Sequence, residues 1–358
     1  MSEVFRNDVR AFVNEHISPY VAQWEELGAY PPRLNQQAGE AGLLNLGHSN
    51  AVLPDDPQRL AILVEELTRS GAQGITMGLG SHLVSLKALH ASAPELAAEL
   101  IPAVLDGRQS IALAITESQA GSDLHALTCR AERHAGGYRL SGHKAFICNG
   151  ARADWLLLVG HCEDGLALFL VDTTAAGISH TPRQCLGWRC LPLADLSFDN
   201  TPVVRLTKAG GVGRLLQGSL QQERLNLAVM ASTSADIALQ HSIAWCKQRQ
   251  VGGKALIEKS VIRQRLSEHY AQLSVSRHYV QACVTLQAAG QLSAHQVAIA
   301  KNSAVQTLET IARDAVQLQG AHGCMAPNSV ERIHRDARLL AIGGGTHEIM
   351  LEIIARQL

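Results

Sequence analysis

Residues 138–172, YRLSGHKAFICNGARADWLLLVGHCEDGLALFLVD, differ in pattern from the sequence on either side of them. They contain short apolar or alternating runs bounded by Gly, Asn and Asp, and a further such run covers 193–200, LADLSFDN. This pattern is typical of strands and turns. The runs follow one another too closely for crossover helices, so we predict a mostly antiparallel sheet, closed as a small barrel or packed as a sandwich.

Helical periodicity flanks this β block on both sides. In the N-terminal part, apolar residues recur on one face of an amphipathic helix, at Phe5, Val9, Phe12, Val13 and Ile17. After the block, Ser219 and Gln222 have the spacing of a capping box and predict the start of a long helix, with two or three further helices behind it. We therefore predict an α+β multidomain protein with an N-terminal α-helical domain (1–112), a middle β domain (113–213) and a C-terminal helical bundle (214–358).

The composition argues against several classes of protein. Hydrophobic residues make up 46% and charged residues 18% of the chain, as in ordinary globular proteins, and the formal net charge of -1 argues against a nucleic-acid partner. No apolar run approaches the roughly 20 residues of a membrane span, and the first residues lack the apolar core of a leader.

The eight scattered cysteines favour a reducing, cytoplasmic location. The closest pair, Cys185 and Cys190, has the wrong spacing for a zinc knuckle, so no metal site is expected.

The stretch 112–131, ALAITESQAGSDLHALTCRA, carries the clearest signal of a ligand site. It leaves a predicted strand at Ile115 and continues into a loop of small and polar residues, Thr116, Glu117, Gly121, Ser122 and Asp123. Such a loop exposes backbone N–H groups and hydroxyls to a polar or anionic ligand. A polar turn capped by its Ser and Asp is the alternative.

The segments 114–123 (AITESQAGSD) and 138–159 (YRLSGHKAFICNGARADWLLLV) resemble the paired signatures of the acyl-CoA dehydrogenase family. The resemblance extends through EELTRSGA, LGWR, QERL and QLQGAHGCM to the last residues, 330–358. It implies an N-terminal α domain, a middle β domain and a C-terminal four-helix bundle, with FAD bound between the β domain and the bundle. It also implies oxidation of an acyl thioester to its trans-2-enoyl form, usually in a homotetramer.

The resemblance assigns cofactor contacts to Thr116, Ser122, Phe146, Cys148, Arg249, Gln317, Gly320, Thr346 and Glu348. Thr116 is expected to hydrogen-bond the flavin pyrimidine ring, Ser122 to meet the pyrophosphate, and Phe146 to shield one flavin face. The chain departs from the family pattern at four positions, which are Cys148, Gly252, Ser260 and Ala321. Except for Cys148, which stands where the family usually has Thr or Ser, these positions belong to the adenine side of the cofactor.

Two positions compete for the catalytic base. In many family members it precedes the Gly-Thr of the terminal turn, where this chain has Gly344. In the long-chain and isovaleryl-type branch it begins the first bundle helix, directly before an Arg, and this chain has Glu223 and Arg224 there. Glu223 lies four residues before Leu227 on the predicted buried stripe, so its pKa should be raised. A glutamate in a first helical turn is also explained by a favourable interaction with the helix dipole.

These observations predict an FAD-dependent acyl-CoA dehydrogenase for a medium, long or branched acyl chain. Glu223 takes the α-proton, the N–H of Gly344 helps to polarise the thioester carbonyl, and Arg224 positions the ligand or the turn. The resemblance implies an electron-transfer flavoprotein as acceptor and a homo-oligomer, either tetramer or dimer. Two alternatives remain open: an acyl group carried by a carrier protein, and a non-catalytic subunit of a heteromeric enzyme.

Overall fold

The computed structural model describes residues 2–48, 52–208 and 210–358. Within the described residues before position 109, the chain forms seven α-helices, which are α1 (Ser2–Phe12), α2 (Val21–Leu27), α3 (Arg33–Glu40), α4 (Pro57–Thr68), α5 (Gln73–Gly80), α6 (His82–Ser92) and α7 (Pro94–Leu105). The apolar face predicted for the first helix is buried, because Phe5, Val9 and Phe12 all lie in the core. This domain places α5 and α6 beside the site described below.

A seven-stranded sheet follows, with strands β1 (Ile111–Ala114), β2 (Arg130–His134), β3 (Gly137–Cys148), β4 (Trp155–Cys162), β5 (Gly165–Asp172), β6 (Ile178–Pro182) and β7 (Leu193–Arg205). The pairings β4–β2–β3–β7–β5–β4 close into a ring, so the sheet is a barrel. Its pairings are antiparallel except for β1–β4 and β2–β4, which are parallel. The predicted mostly antiparallel β domain is therefore confirmed.

The remaining described residues, 210–358, form a helical domain with helices α8 (Val212–Gln248), α9 (Ser260–Ala288), α10 (Ala294–Gln319), α11 (Ser329–Leu340) and α12 (His347–Ala355), and a short hairpin of β8 (Gln250–Val251) and β9 (Lys254–Ala255). Four helices follow α8, where two or three were predicted. Helix α10 packs against α8, α9, α11 and α12, and so forms the centre of the bundle. None of the helices in the described ranges is long and apolar enough to cross a membrane.

The predicted start of the long helix is wrong. Ser219 and Gln222 lie inside α8, which begins at Val212 after the N-cap Gly211. Val212 and Leu216 are buried, so the apolar stripe of the helix extends upstream of the predicted cap. Packing of this stripe outweighs the low helix propensity of the intervening glycines. Strand β1 begins at Ile111 and helix α8 begins at Val212. The domain limits given in the sequence analysis stay predictions.

Candidate active site

A cavity of about 630 Å³ lies where the three domains meet. Its wall comes from α5 and α6, the loop after β1, strand β3, helix α8 and the turn between α11 and α12. Eight of the predicted site residues line it, namely Thr116, Ser122, Phe146, Cys148, Glu223, Arg224, Gly344 and Thr346. The fold thus brings together in one cavity residues that are far apart in the sequence.

Glu223 lines this cavity from the interior of α8. Because α8 begins at Val212, Glu223 does not lie in a first helical turn, and the dipole explanation for a glutamate at this position does not apply. Burial raises the pKa of the half-buried carboxyl, while the charges of Lys301 and Arg224 oppose that rise. A carboxylate with a raised pKa is suited to accept a proton near neutral pH.

The glycine turn between α11 and α12 packs directly against this part of α8. Gly344 has φ +67°, and a Cβ added to it would lie 2.7 Å from Leu227 Cδ1, one helical turn beyond Glu223. Arg224 Nε donates a hydrogen bond to the Gly344 carbonyl oxygen at 2.8 Å. A side chain at position 344 would therefore displace Leu227, and the backbone of the turn is tied to the residue that follows Glu223.

The loop after β1 is held in place by a buried ion pair. Lys144 Nζ donates to Glu117 Oε1 at 2.8 Å and to the Ile115 carbonyl oxygen at 2.7 Å, and both charged side chains are buried. Glu117 also accepts hydrogen bonds from Thr128. Burial alone would raise the pKa of Glu117, but these donors lower it to about 2. Thr116, next to this carboxylate, is thereby fixed at the cavity wall.

Two predicted flavin-side residues come from the end of β3, where its register with β7 is irregular. Phe146 has φ +58°, its N–H donates to Asp195 Oδ1 at 3.0 Å, and its side chain is 56% exposed. A non-glycine residue in this conformation stores strain, which is common where a side chain must be presented to a ligand. Burial, then the charge of Glu223, raises the pKa of the Cys148 thiol to about 12, so it stays protonated.

The other predicted cofactor residues do not line this cavity. Arg249, Gln317, Gly320 and Glu348 are all exposed. A second, more open pocket of about 670 Å³ includes Gln248 and Gln319, the chain neighbours of Arg249 and Gly320, and a stacked pair of Trp245 and His322 with ring centroids 4.9 Å apart. Thr346 lines the first cavity and also caps α12, because its hydroxyl accepts from the Ile349 N–H at 3.4 Å.

Sequence reasoning missed three residues that the structure places at or behind the cavity. Cys185 lines the wall, Lys144 holds the loop, and Lys301 is buried behind the glycine turn. A charged residue beside an apolar run was the available signal for both lysines, since Lys301 follows the apolar run 297–300 and Lys144 precedes the apolar run 145–148. The partners of these lysines could not be inferred, because they lie on other elements.

The unpaired donors at the cavity suit a flavin dinucleotide. The hydroxyls of Thr116 and Ser122 and the N–H groups of Gly344 and Gly345 belong to residues that line it, and none of these four groups has a hydrogen-bond partner among the described residues. Phe146 adds an exposed aromatic face. Such donors suit a planar ligand that carries carbonyl and phosphate oxygens. The residues present therefore fit FAD.

Comparison with known proteins identifies the family. Models of the acyl-CoA dehydrogenase N-terminal, middle and C-terminal domains match residues 2–108, 112–201 and 210–358. The mitochondrial long-chain specific acyl-CoA dehydrogenase of Sus scrofa is 30% identical over 372 residues, covering 99% of this chain and 86% of that protein. The mitochondrial isovaleryl-CoA dehydrogenase of Solanum tuberosum is 27% identical over 373 residues, covering 99% and 89%.

The fold comparison agrees with the sequence comparison. The crystal structure of a probable acyl-CoA dehydrogenase from Mycobacterium abscessus superposes with a TM-score of 0.93 at 31% identity, covering 99% of this chain and 98% of that one. Both comparisons span all three domains, so the resemblance found in the sequence motifs is confirmed. The chain belongs to the acyl-CoA dehydrogenase family, whose members are FAD-dependent oxidoreductases.

Proposed function

We propose that this chain dehydrogenates an acyl thioester between its α- and β-carbons, with Glu223 as the base. The observation that carries the proposal is the meeting of Glu223 and the Gly344 turn with Thr116, Phe146 and Cys148 in one cavity. The base and the carbonyl donors for the substrate thereby line the same cavity as the predicted flavin contacts.

In this mechanism the residues of the chain orient the substrate and move one proton. The Glu223 carboxylate removes a proton from the α-carbon, while backbone N–H donors of the turn polarise the carbonyl and stabilise the developing negative charge. Thr116, Ser122, Phe146 and Cys148 would help to hold FAD, which would supply the acceptor for the hydride that leaves the β-carbon. Two C–H bonds are broken and one C=C bond is formed, so the product is the 2-enoyl thioester.

The rest of the wall supports a proposal for the substrate class. Apolar side chains from α5, α6 and α8 dominate it, including Met77, Val84, Leu220 and Met230. A wall of this kind favours a medium, long or branched aliphatic acyl group over a charged one. We propose CoA as its carrier, with a protein-bound acyl group as the alternative, and an electron-transfer flavoprotein as electron acceptor. A homo-oligomer in the cytoplasm stays our prediction for the assembly and its location.

The experiment that tests this function uses the purified chain with FAD under anaerobic conditions. Straight and branched acyl-CoA thioesters, and the same acyl groups on a carrier protein, are mixed with it, and the products are analysed by mass spectrometry. We expect acyl-CoA to bleach the flavin and to lose two hydrogen atoms. Reaction of the carrier-bound acyl groups alone would favour the biosynthetic alternative. A chain that holds flavin only with a different partner subunit would favour the heteromeric one, and no reaction in any arm would contradict the proposal.

A further inference from the structure

Lys301 is a buried lysine that has no role in the mechanism proposed above. Lys301 lies on α10 and is 1% exposed. Its neighbours on the buried face of this helix, such as Val297, Ala300 and Ala304, are apolar. An ammonium group taken out of water is costly unless polar partners replace its hydration. The partners of Lys301 should therefore show what it is kept for.

Those partners belong to the candidate active site. Lys301 Nζ donates to the carbonyl oxygen of Gly345, and its Cε lies 4.0 Å from the position that a Cβ of Gly344 would take. Arg224 donates to the carbonyl of Gly344 at 2.8 Å. Two cations from two helices, α8 and α10, thus hold two successive carbonyls of the glycine turn.

This double anchor sets the direction of the turn's N–H groups. In a trans peptide the C=O and the following N–H point in opposite directions. With the carbonyls of Gly344 and Gly345 held by Arg224 and Lys301, the N–H groups of Gly345 and Thr346 point away from these cations. Both glycines have positive φ, +67° and +102°, a conformation that L side chains rarely adopt. The anchors therefore fix the N–H groups of Gly345 and Thr346 directly, and they fix the preceding Gly344 N–H through the conformation of the turn.

Lys301 also acts on the base through its charge. The charged or titratable groups that face Glu223 are Arg224 on its own helix, Lys301 on α10 and the Cys148 thiol on β3. Burial raises the pKa of Glu223. The positive charges of Lys301 and Arg224 oppose this rise, and Lys301 has the larger effect. In turn, burial lowers the pKa of Lys301 to about 8, against the attraction of Glu223.

We infer that Lys301 is a positioning residue for the reaction: together with Arg224 it anchors the Gly344–Gly345 turn in the conformation in which the N–H groups of the turn meet the thioester carbonyl. The inference rests on the proposed function. Beside this anchoring, the charge of the same ammonium opposes the rise in the pKa of the Glu223 carboxyl. Both tasks can be measured separately.

The first test measures binding without turnover. In a Glu223→Gln background, calorimetry compares a saturated acyl-CoA with the thioether in which a methylene replaces its carbonyl. We expect the thioester to bind about tenfold more tightly, and the preference to disappear when Lys301→Met is added. Lys208→Met, at an exposed lysine in the loop before α8, should leave the preference intact. No preference in the background, or an unchanged preference with Lys301→Met, would overturn the anchoring role.

The second test measures the pH dependence of anaerobic flavin reduction by acyl-CoA. Lys301→Met should raise the apparent pKa of the acidic limb by about one unit, because the base loses a stabilising charge, whereas Lys301→Arg should keep the limb in place. Circular dichroism shows whether the Met variant folds. If it does not fold, the same measurement is made with Lys301→Gln. An acidic limb that stays at its original pH in the neutral variants would overturn the electrostatic role. Failure of the proposed function looks different, because the parent chain would then not reduce flavin with acyl-CoA, or Glu223→Gln alone would still reduce it.

Discussion

At the level of single residues, Gly344 and Glu223 complement each other, because the glycine packs against the helix that carries the glutamate. The sequence raised the question because the family resemblance places the base of many members at the position of Gly344. The structure adds a physical reason for the glycine: its φ is +67°, and a Cβ would lie 2.7 Å from Leu227 Cδ1 on the helix that carries Glu223. Position 344 therefore contributes backbone and leaves the space beside α8 to the carboxylate.

A Gly344→Ala variant should be destabilised by about 1–3 kcal/mol, because the added methyl meets Leu227 and because the backbone there is in the left-handed region. Denaturant unfolding at equilibrium measures the change. Gly218→Ala is the matched control, since Gly218 is exposed within α8 and a Cβ there meets nothing within 4 Å. The control should gain about 0.5–1 kcal/mol. A Gly344→Ala variant as stable as the parent chain would contradict the packing argument.

At the scale of elements, the parts set by local pattern were predictable and the parts set by tertiary contacts were not. Strands β3, β4, β5 and β7 follow from short apolar runs bounded by turn residues. The start of α8 does not follow, because glycines and a false capping box hide an apolar stripe that only its packing reveals. The anchors of the site loops, Lys144 and Lys301, bind groups on other elements, so their partners could not be read from spacing.

The buried Glu117–Lys144 pair links strand β3 to the loop after β1. Lys144→Met should cost about 3–5 kcal/mol, because it leaves a buried carboxylate without its cation, and should weaken FAD retention by loosening the loop that carries Thr116. The double variant Glu117→Gln/Lys144→Met should recover part of this loss. Equilibrium unfolding and flavin content after dialysis measure both effects. A double variant less stable than Lys144→Met would contradict the account.

The same pair predicts how stability depends on pH. The pKa of Glu117 falls from 4.5 to about 2 on folding, so its contribution is complete above about pH 4.5 and is lost as the pH falls toward 2. In the variant with both charges removed, this part of the acid dependence should disappear. Unfolding free energies measured at several pH values between 5 and 2 would show it, and an unchanged slope would contradict it.

At the scale of the whole molecule, the predicted cofactor residues form two groups. One group lines the cavity, while Arg249, Gln317, Gly320 and Glu348 are exposed outside it. We propose that Arg249 and its neighbours serve the cofactor of another copy of the chain. The three-domain order and the barrel were readable from the sequence, but this division was not, because it depends on which surfaces face outward.

Co-expression of two inactive variants tests that arrangement. Arg249→Ala should lose FAD and Glu223→Gln should lose the base, so neither homo-oligomer reduces flavin at an appreciable rate. In a mixed oligomer with random pairing, about one quarter of the sites combine an intact Glu223 with an intact Arg249 from the neighbour. Flavin reduction by the mixed sample should recover accordingly. Activity no higher than that of the two variants purified separately would contradict a shared site.

Rapid anaerobic mixing of acyl-CoA with the Glu223→Gln holoenzyme tests the assignment of Glu223 as the base. Flavin absorbance follows the reaction, and Glu132→Gln, at an exposed glutamate on β2, is the control. We expect Glu223→Gln to retain FAD and to bind acyl-CoA but to reduce the flavin about 10³-fold more slowly, while the control reduces it at the parent rate. Reduction by Glu223→Gln within about threefold of the parent rate would contradict the claim.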